Sequence, residues 1–173
     1  VHFPLHPDTP EEGRSLEELF RGRNIDVRSA QARLRALMDA EGLPYGPHTH
    51  TYNSRLAQEV AKWAETKPGG EAIHDALFEA YFVHGRNIGD SAVLMDVARS
   101  IGLPASEAAD VLEERRYRAG VDGDWAKSRE YGVTGVPTFV SGGQGVVGAQ
   151  PYETLAQFLR QRKAMPRTDG DPD

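Results

Sequence analysis

GVTGVPTFV, residues 132–140, lies between a long helix-rich region and a glycine-rich turn. Proline cannot donate to a sheet ladder, so within sheets it is confined to strand starts, edges and bulges. Val136-Pro137 followed by Thr138, Phe139 and Val140 fits a strand start, and the stretch reads as a turn feeding a strand over 137–141. An X-Pro bond is also where a cis peptide costs only about 0.5–1 kcal/mol over trans, and the residues by themselves leave the two isomers open. Downstream, Gly142-Gly143-Gln144-Gly145 reads as a hairpin turn into a second short strand, 146–147. A terminal helix, 152–162, then carries Leu155, Phe158 and Leu159 on one face.

Upstream of that stretch the pattern is helical almost throughout. Val1, Phe3 and Leu5 alternate with His2, so residues 1–5 are expected to be a strand, one that begins without a polar lead-in. Ser15 and Glu18 form a capping-box pattern at the head of a short helix. Asp26 caps a longer helix that reaches Ala40, with Ala30, Leu34, Leu37 and Met38 as its apolar face and Gly42 as its stop. After a loop over 43–52, Asn53 or Ser54 caps a helix carrying Leu56, Ala57, Val60 and Ala64, with Trp63 beside that stripe. Helices are expected over 71–83, after Asp90, over 106–117 and over 121–131, and a polar, disordered tail over 165–173. The order is strand, helical block, hairpin, helix, and it reads as a helical block inserted into a small α/β sheet.

Composition narrows the function. The 173 residues carry a net charge of −6 with no basic tract, which argues against nucleic acid as the main partner. No apolar run approaches a membrane span, and no signal-peptide pattern is visible at the N-terminus. There is no cysteine, so these residues hold no disulfide and no thiol. His48-Thr49-His50 is the one HxH, and with His2, His6, His74 or His84 it is the only candidate zinc cluster. No third ligand stands at a recurring metal spacing, and a polar surface loop is the expected reading. His74 reads as a helix-surface residue, and His84 closes a helix, where a cation suits the dipole. The acidic residues read as solvated helix faces with nearby arginines, Glu114 and Arg118 among them at i, i+4. Trp63, Tyr81, Phe82 and Trp125 read first as core.

GVTGVPTFV, the hairpin and the following Gly148-Ala149-Gln150-Pro151 together resemble the C-terminal half of DsbA-like thioredoxin-fold oxidoreductases, in particular the FrnE-type branch. VHFPLHP, residues 1–7, is similar to the second strand of that fold, and TYNSRLA, residues 51–57, to the Asn-Ser helix start of the branch. The resemblance implies an α/β thioredoxin-like fold with an all-helical inserted domain, its first strand and first helix lying outside these residues. It divides the chain into a thioredoxin-like half over 1–14 and 132–164, a helical insertion over 15–131 and the tail. It also implies a cis bond before Pro137. Val136 would offer its backbone to an extended substrate, Pro137 would hold that edge open, Thr134 and Gly135 would shape the preceding loop, and Asn53 and Ser54 would contribute from the helical side. The implied activity is thiol–disulfide exchange on a protein or small-thiol substrate, glutathione included, with no cofactor, no metal and no membrane or nucleic-acid partner, in the cytoplasm.

One departure from the family decides how this is read. The family's CxxC lies upstream of the strand matched by residues 1–5, and nothing here corresponds to it. Dithiol chemistry needs a thiolate of lowered pKa. In the thioredoxin fold the strand leading to CxxC is central, and without it both neighbours keep unpaired backbone groups. Each such group costs about 1–3 kcal/mol when buried, against a total stability of roughly 5–15. The expectation is therefore about thirty further N-terminal residues, the length of a β–α unit. Two alternatives stand beside it. One is a glutathione-dependent 2-hydroxychromene-2-carboxylate isomerase, which shares the Asn-Ser start but tends to carry a Gly-Gln-Asp turn in place of Gly148-Ala149-Gln150-Pro151. The other is a redox-inactive, peptide-binding thioredoxin-like module.

Overall fold

A computed structural model of the chain describes residues 1–164; the tail expected over 165–173 lies outside the described residues. Ser15, Asp26 and Asp90 each cap a helix. Ser15 and Glu18 close a full capping box ahead of α1 (Leu16–Leu19). Asp26 Oδ1 accepts the Arg28 and Ser29 N–H groups at the head of α2 (Val27–Ala40). Helix α3 (Arg55–Ala64) follows Ser54. Asp90 Oδ1 accepts the Ala92 N–H at the start of α5 (Ser91–Ser100). Helices α6 (Ala105–Glu114), α7 (Arg118–Glu130) and α8 (Tyr152–Gln161) complete the set that the periodicity marks.

Several elements differ from expectation. Residues 1–5 are not a strand. A strand exists only through its ladder, and no described strand pairs with them. Two-residue strands β1 (Arg14–Ser15) and β2 (His50–Thr51) pair antiparallel, with Arg14 opposite Thr51 and Ser15 opposite His50. They are too short to show any alternation, and 43–52 had read as loop throughout. The expected helix 71–83 divides into a 3₁₀ turn (Gly70–Ala72), α4 (Ile73–Phe78) and a π-helical turn (Glu79–Val83). The π turn closes when the His84 N–H reaches the Glu79 carbonyl, five residues back, at 3.1 Å.

The described residues fall into two units, Pro4–Gly123 and Val1–Phe3 with residues 124–164. The first holds the core. Val60, Trp63 and Ala64 of α3 pack with Ile73 of α4, Leu94 and Ala98 of α5, and Ala108 and Val111 of α6. Trp63 is 1% exposed, and its indole N–H donates to Glu107 Oε1 at 3.1 Å. That bond satisfies the one polar group a buried tryptophan brings. Tyr81, read as core, is only partly buried against the cluster. In the second unit the hairpin β3 (Thr138–Ser141) and β4 (Gln144–Val147) stands with α8. Phe158 is the one buried hydrophobic residue among the described residues of that unit, while Val136, Phe139, Val140 and Val147 are exposed. Among the described residues no helix is long and apolar enough to cross a membrane.

Candidate functional site

The β3–β4 turn is tighter than the four glycine-rich residues suggest. Ser141 pairs with Gln144, so only Gly142 and Gly143 make the turn, at φ 57° and 73°. Two successive positive φ values are what a type I′ hairpin needs. In a two-residue hairpin the closing pair is hydrogen-bonded, and bonded pairs then alternate with non-bonded ones. Phe139 and Val146 therefore exchange backbone bonds, whereas the N–H and C=O groups of Thr138 and Val140 point away from β4. The same alternation brings the Gly148 N–H to the Pro137 carbonyl at 2.8 Å. Gly148 makes this bond at φ 91°, and Gln150 Nε2 then donates to the Val147 carbonyl. The Gly-Ala-Gln-Pro segment thus closes the hairpin onto Pro137. The Val136–Pro137 bond is cis.

The outward edge of β3 borders a groove of about 400 Å³ lined by Val136, Thr138 and Val140 and by Val1 and Phe3. The His2 N–H donates to Asp124 Oδ2 at 3.0 Å. Helix α7 adds Lys127 and Tyr131 to the groove, with Lys127 Nζ 5.9 Å from the Tyr131 ring centroid. Among the described strands β3 pairs only with β4, so its groove-side donors and acceptors have no ladder partner. Such an edge takes an added strand readily. Of the residues named from sequence, Val136 (50% exposed), Pro137 and Thr134 are exposed on the approach to β3. Gly135 accepts a hydrogen bond from the Thr138 hydroxyl at 2.6 Å. Residues 1, 3, 127 and 131 were not foreseen as site residues; the helical spacing of Lys127 and Tyr131 was their only signal.

Asn53 and Ser54 belong to the larger unit. Both polar atoms of Asn53 are engaged, Nδ2 with the Pro7 and Thr9 carbonyls and Oδ1 with the Arg55 N–H. Ser54 precedes α3 without a side-chain cap bond; its hydroxyl accepts instead from Gln58 Nε2. One turn further, Glu59 is wholly buried and is held by Arg55 Nε at 2.8 Å and by the Arg115 guanidinium. Burial would raise its pKa, yet the hydrogen bonds from Arg115 and Arg55 outweigh burial and hold it below the usual carboxylate value. Arg55 and Glu59 stand at i, i+4, which sequence could have shown; Arg115 carries no such signal. A neighbouring expectation fails: Glu114 pairs with Arg116 at 2.6 Å, and Arg118 with Asp122. The guanidinium of Arg116, two residues on, is the one that reaches Glu114.

His48 is not the polar surface residue that the loop suggested. Its ring meets Tyr81 edge-on at 4.6 Å and Phe82 at 5.2 Å, and its carbonyl accepts from the Gln31 side chain. Burial, helped by the nearby His50, holds its pKa below the ordinary imidazole value. His74 and His84 pair with Glu65 and Glu79. Among the described residues no group of three metal-ligating side chains converges.

The chain can be set beside known proteins on this geometry. A structure of a probable DsbA oxidoreductase from Streptomyces coelicolor matches 99% of this chain and 77% of its own, with a TM-score of 0.82 and 29% identity. The cytosolic disulfide reductase DsbM of Pseudomonas aeruginosa, solved with glutathione, matches 87% of this chain and 79% of its own, at TM-score 0.55 and 21% identity, a likeness of fold. An uncharacterised protein of Bacillus subtilis, YwbO, is 32% identical over 115 residues, which are 65% of this chain and 56% of that relative. The match therefore spans little more than half the length of this curated relative. The model of the DSBA-like thioredoxin domain matches residues 1–160. The chain belongs to the DsbA-like thioredoxin domain family.

Proposed function

We propose that this chain is the scaffold and substrate-binding part of a thiol–disulfide oxidoreductase of the FrnE type, whose reactive dithiol lies in residues other than these 173. The observation that carries the reading is the unpaired outer edge of β3 beside its groove. An inserted strand would satisfy the backbone groups of Thr138 and Val140 and cover the apolar side chains that this unit leaves exposed. Val136, next to that edge, would pair with an extended segment of substrate, while Thr134 and Gly135 shape its approach. Chemically, one thiolate attacks a sulfur of the substrate disulfide, and the old S–S bond breaks as the mixed disulfide forms. The second thiolate then attacks the mixed disulfide, leaving the enzyme oxidised and the substrate as a dithiol that takes up two protons. The substrate is a protein or a small thiol, glutathione included, and the compartment is the cytosol.

The test is to incubate the complete protein with a reduced disulfide-forming substrate and with an oxidised one. The expected result is catalysed exchange and a mixed disulfide that can be trapped when one cysteine of the dithiol is replaced. Binding of an extended peptide without any thiol exchange supports instead the redox-inactive module, a reading favoured by the absence of cysteine from these residues. Isomerase activity that requires glutathione would point to the third reading.

A further inference from the structure

A pocket of about 610 Å³ opens on the larger unit, where the loop carrying Glu11 meets the starts of α3 and α5 and the end of α6. Arg55 and Leu56 line it from α3, Asp90 and Ser91 from α5, and Arg115 from α6. Its volume lies within the range of small-molecule sites, roughly 300–1,000 Å³.

Charges of both signs line this pocket without neutralising one another. Arg115 uses Nε and Nη2 on Glu59, and its Nη1 has no hydrogen-bond partner among the described residues. Arg55, by contrast, is fully committed, to Glu59, to Asp122 and to the Arg118 carbonyl. Neither Glu11 nor Asp90 enters an ion pair among the described residues. Asp90 uses only Oδ1, on the Ala92 N–H. The Arg115 guanidinium is also fixed from behind, because the Glu59 side chain that holds it is wholly buried while that of Arg115 stays 38% exposed. Apolar residues in place of a buried ion pair are often as stable, so stability alone is a weak reason for this clasp. Presetting the free side of Arg115 for a ligand is a stronger one.

We propose that this pocket binds a short peptide with free termini, its carboxylate on Nη1 of Arg115 and its ammonium on Glu11 and Asp90. A pure anion would meet the two carboxylates unpaired, and a pure cation would meet the guanidinium. A zwitterion satisfies both signs at once. Leu56 offers the peptide side chains an apolar contact. Every group of the site belongs to the larger unit and none is a sulfur, so the site stands whether or not the complete protein exchanges disulfides.

Nuclear magnetic resonance of the complete, isotope-labelled protein, titrated with trialanine to about 20 mM, tests this in the millimolar range expected of a small open site. The expected result is saturable shifts of the Leu56 and Ser91 amides and of the Arg115 Nε–H. N-acetyl-trialanine, which lacks the ammonium, and trialanine amide, which lacks the carboxylate, each bind about fivefold more weakly or worse. The double variant Glu11→Gln with Asp90→Asn keeps the α5 cap, since asparagine caps as well as aspartate, and leaves the thermal melt unchanged. It binds trialanine about tenfold more weakly and N-acetyl-trialanine about threefold more tightly, because the carboxylates that repel an anion are gone. No shift at Leu56 and Ser91 up to about 20 mM, blocked peptides that bind within about twofold of trialanine, or a double variant that binds all three peptides as the parent does overturns the proposal.

Discussion

Arg115 donates from Nε to Glu59 Oε2 at 2.8 Å and from Nη2 to Glu59 Oε1 at 2.7 Å, while its own backbone sits in the left-handed region at φ 52°. The C-terminus of α6 thus ends on a conformation usually left to glycine or asparagine, and two charge-assisted bonds to a buried carboxylate hold it there. Replacing Glu59 by Gln leaves the Arg55 and Arg115 guanidinium groups facing a neutral amide. Removing one partner of a buried pair costs about 3–5 kcal/mol, so Glu59→Gln is expected to lower the unfolding free energy by about that amount in a urea titration. Glu114→Gln, at an exposed pair, is expected to leave it almost unchanged, since solvent screens such a pair.

The aromatic seat of His48 gives a pH dependence with a definite sign. Tyr81 and Phe82 face its ring and Tyr45 lies 6.5 Å away; burial lowers its pKa, and the nearby His50 adds to that. The folded pKa is below the unfolded one, so between the two values the unfolded chain binds the extra proton. The stabilisation is complete above the ordinary imidazole value, about 6.5, and is lost as the pH falls below it. Unfolding free energies measured from about pH 7.5 down to pH 5 are expected to decline, and His48→Phe is expected to flatten that decline. Some slope remains in the variant, because burial lowers the pKa of His6 too.

Two glycines separate space from composition. A Cβ on Gly46 would stand 1.8 Å from the Val83 carbonyl oxygen, whereas one on Gly123, within α7, meets nothing within 4 Å. Gly46→Ala is therefore expected to destabilise by about 1–3 kcal/mol. Gly123→Ala is expected to stabilise by about 0.5–1 kcal/mol through helix propensity. Paired thermal melts check the opposite signs.

What the sequence made legible follows the range of each interaction. Ser15, Asp26 and Asp90 announce their helices because a cap is a contact over two or three residues. Gly148-Ala149-Gln150-Pro151 and Val136-Pro137 point to the hairpin, and the Gly148 bond to Pro137 joins them. The strand expected over 1–5 fails because alternation describes a half-buried face and says nothing of a ladder partner. The Arg115 clasp on Glu59 spans 56 residues and leaves no local trace. His48 read as surface because the rings that enclose it, Tyr81 and Phe82, come from a π turn more than thirty residues later. The groove beside β3 was half legible: Val136 and Pro137 were named, Lys127 and Tyr131 were not.

The central claim is that the outer edge of β3 receives another strand, and amide hydrogen exchange of the complete protein reads it residue by residue. Phe139 and Ser141 bond to β4 in any case and serve as internal controls. The account predicts that the Thr138 and Val140 amides exchange as slowly as those of Phe139 and Ser141, because an inserted strand accepts from them. Free exchange at Thr138 and Val140 while Phe139 and Ser141 stay protected would contradict it.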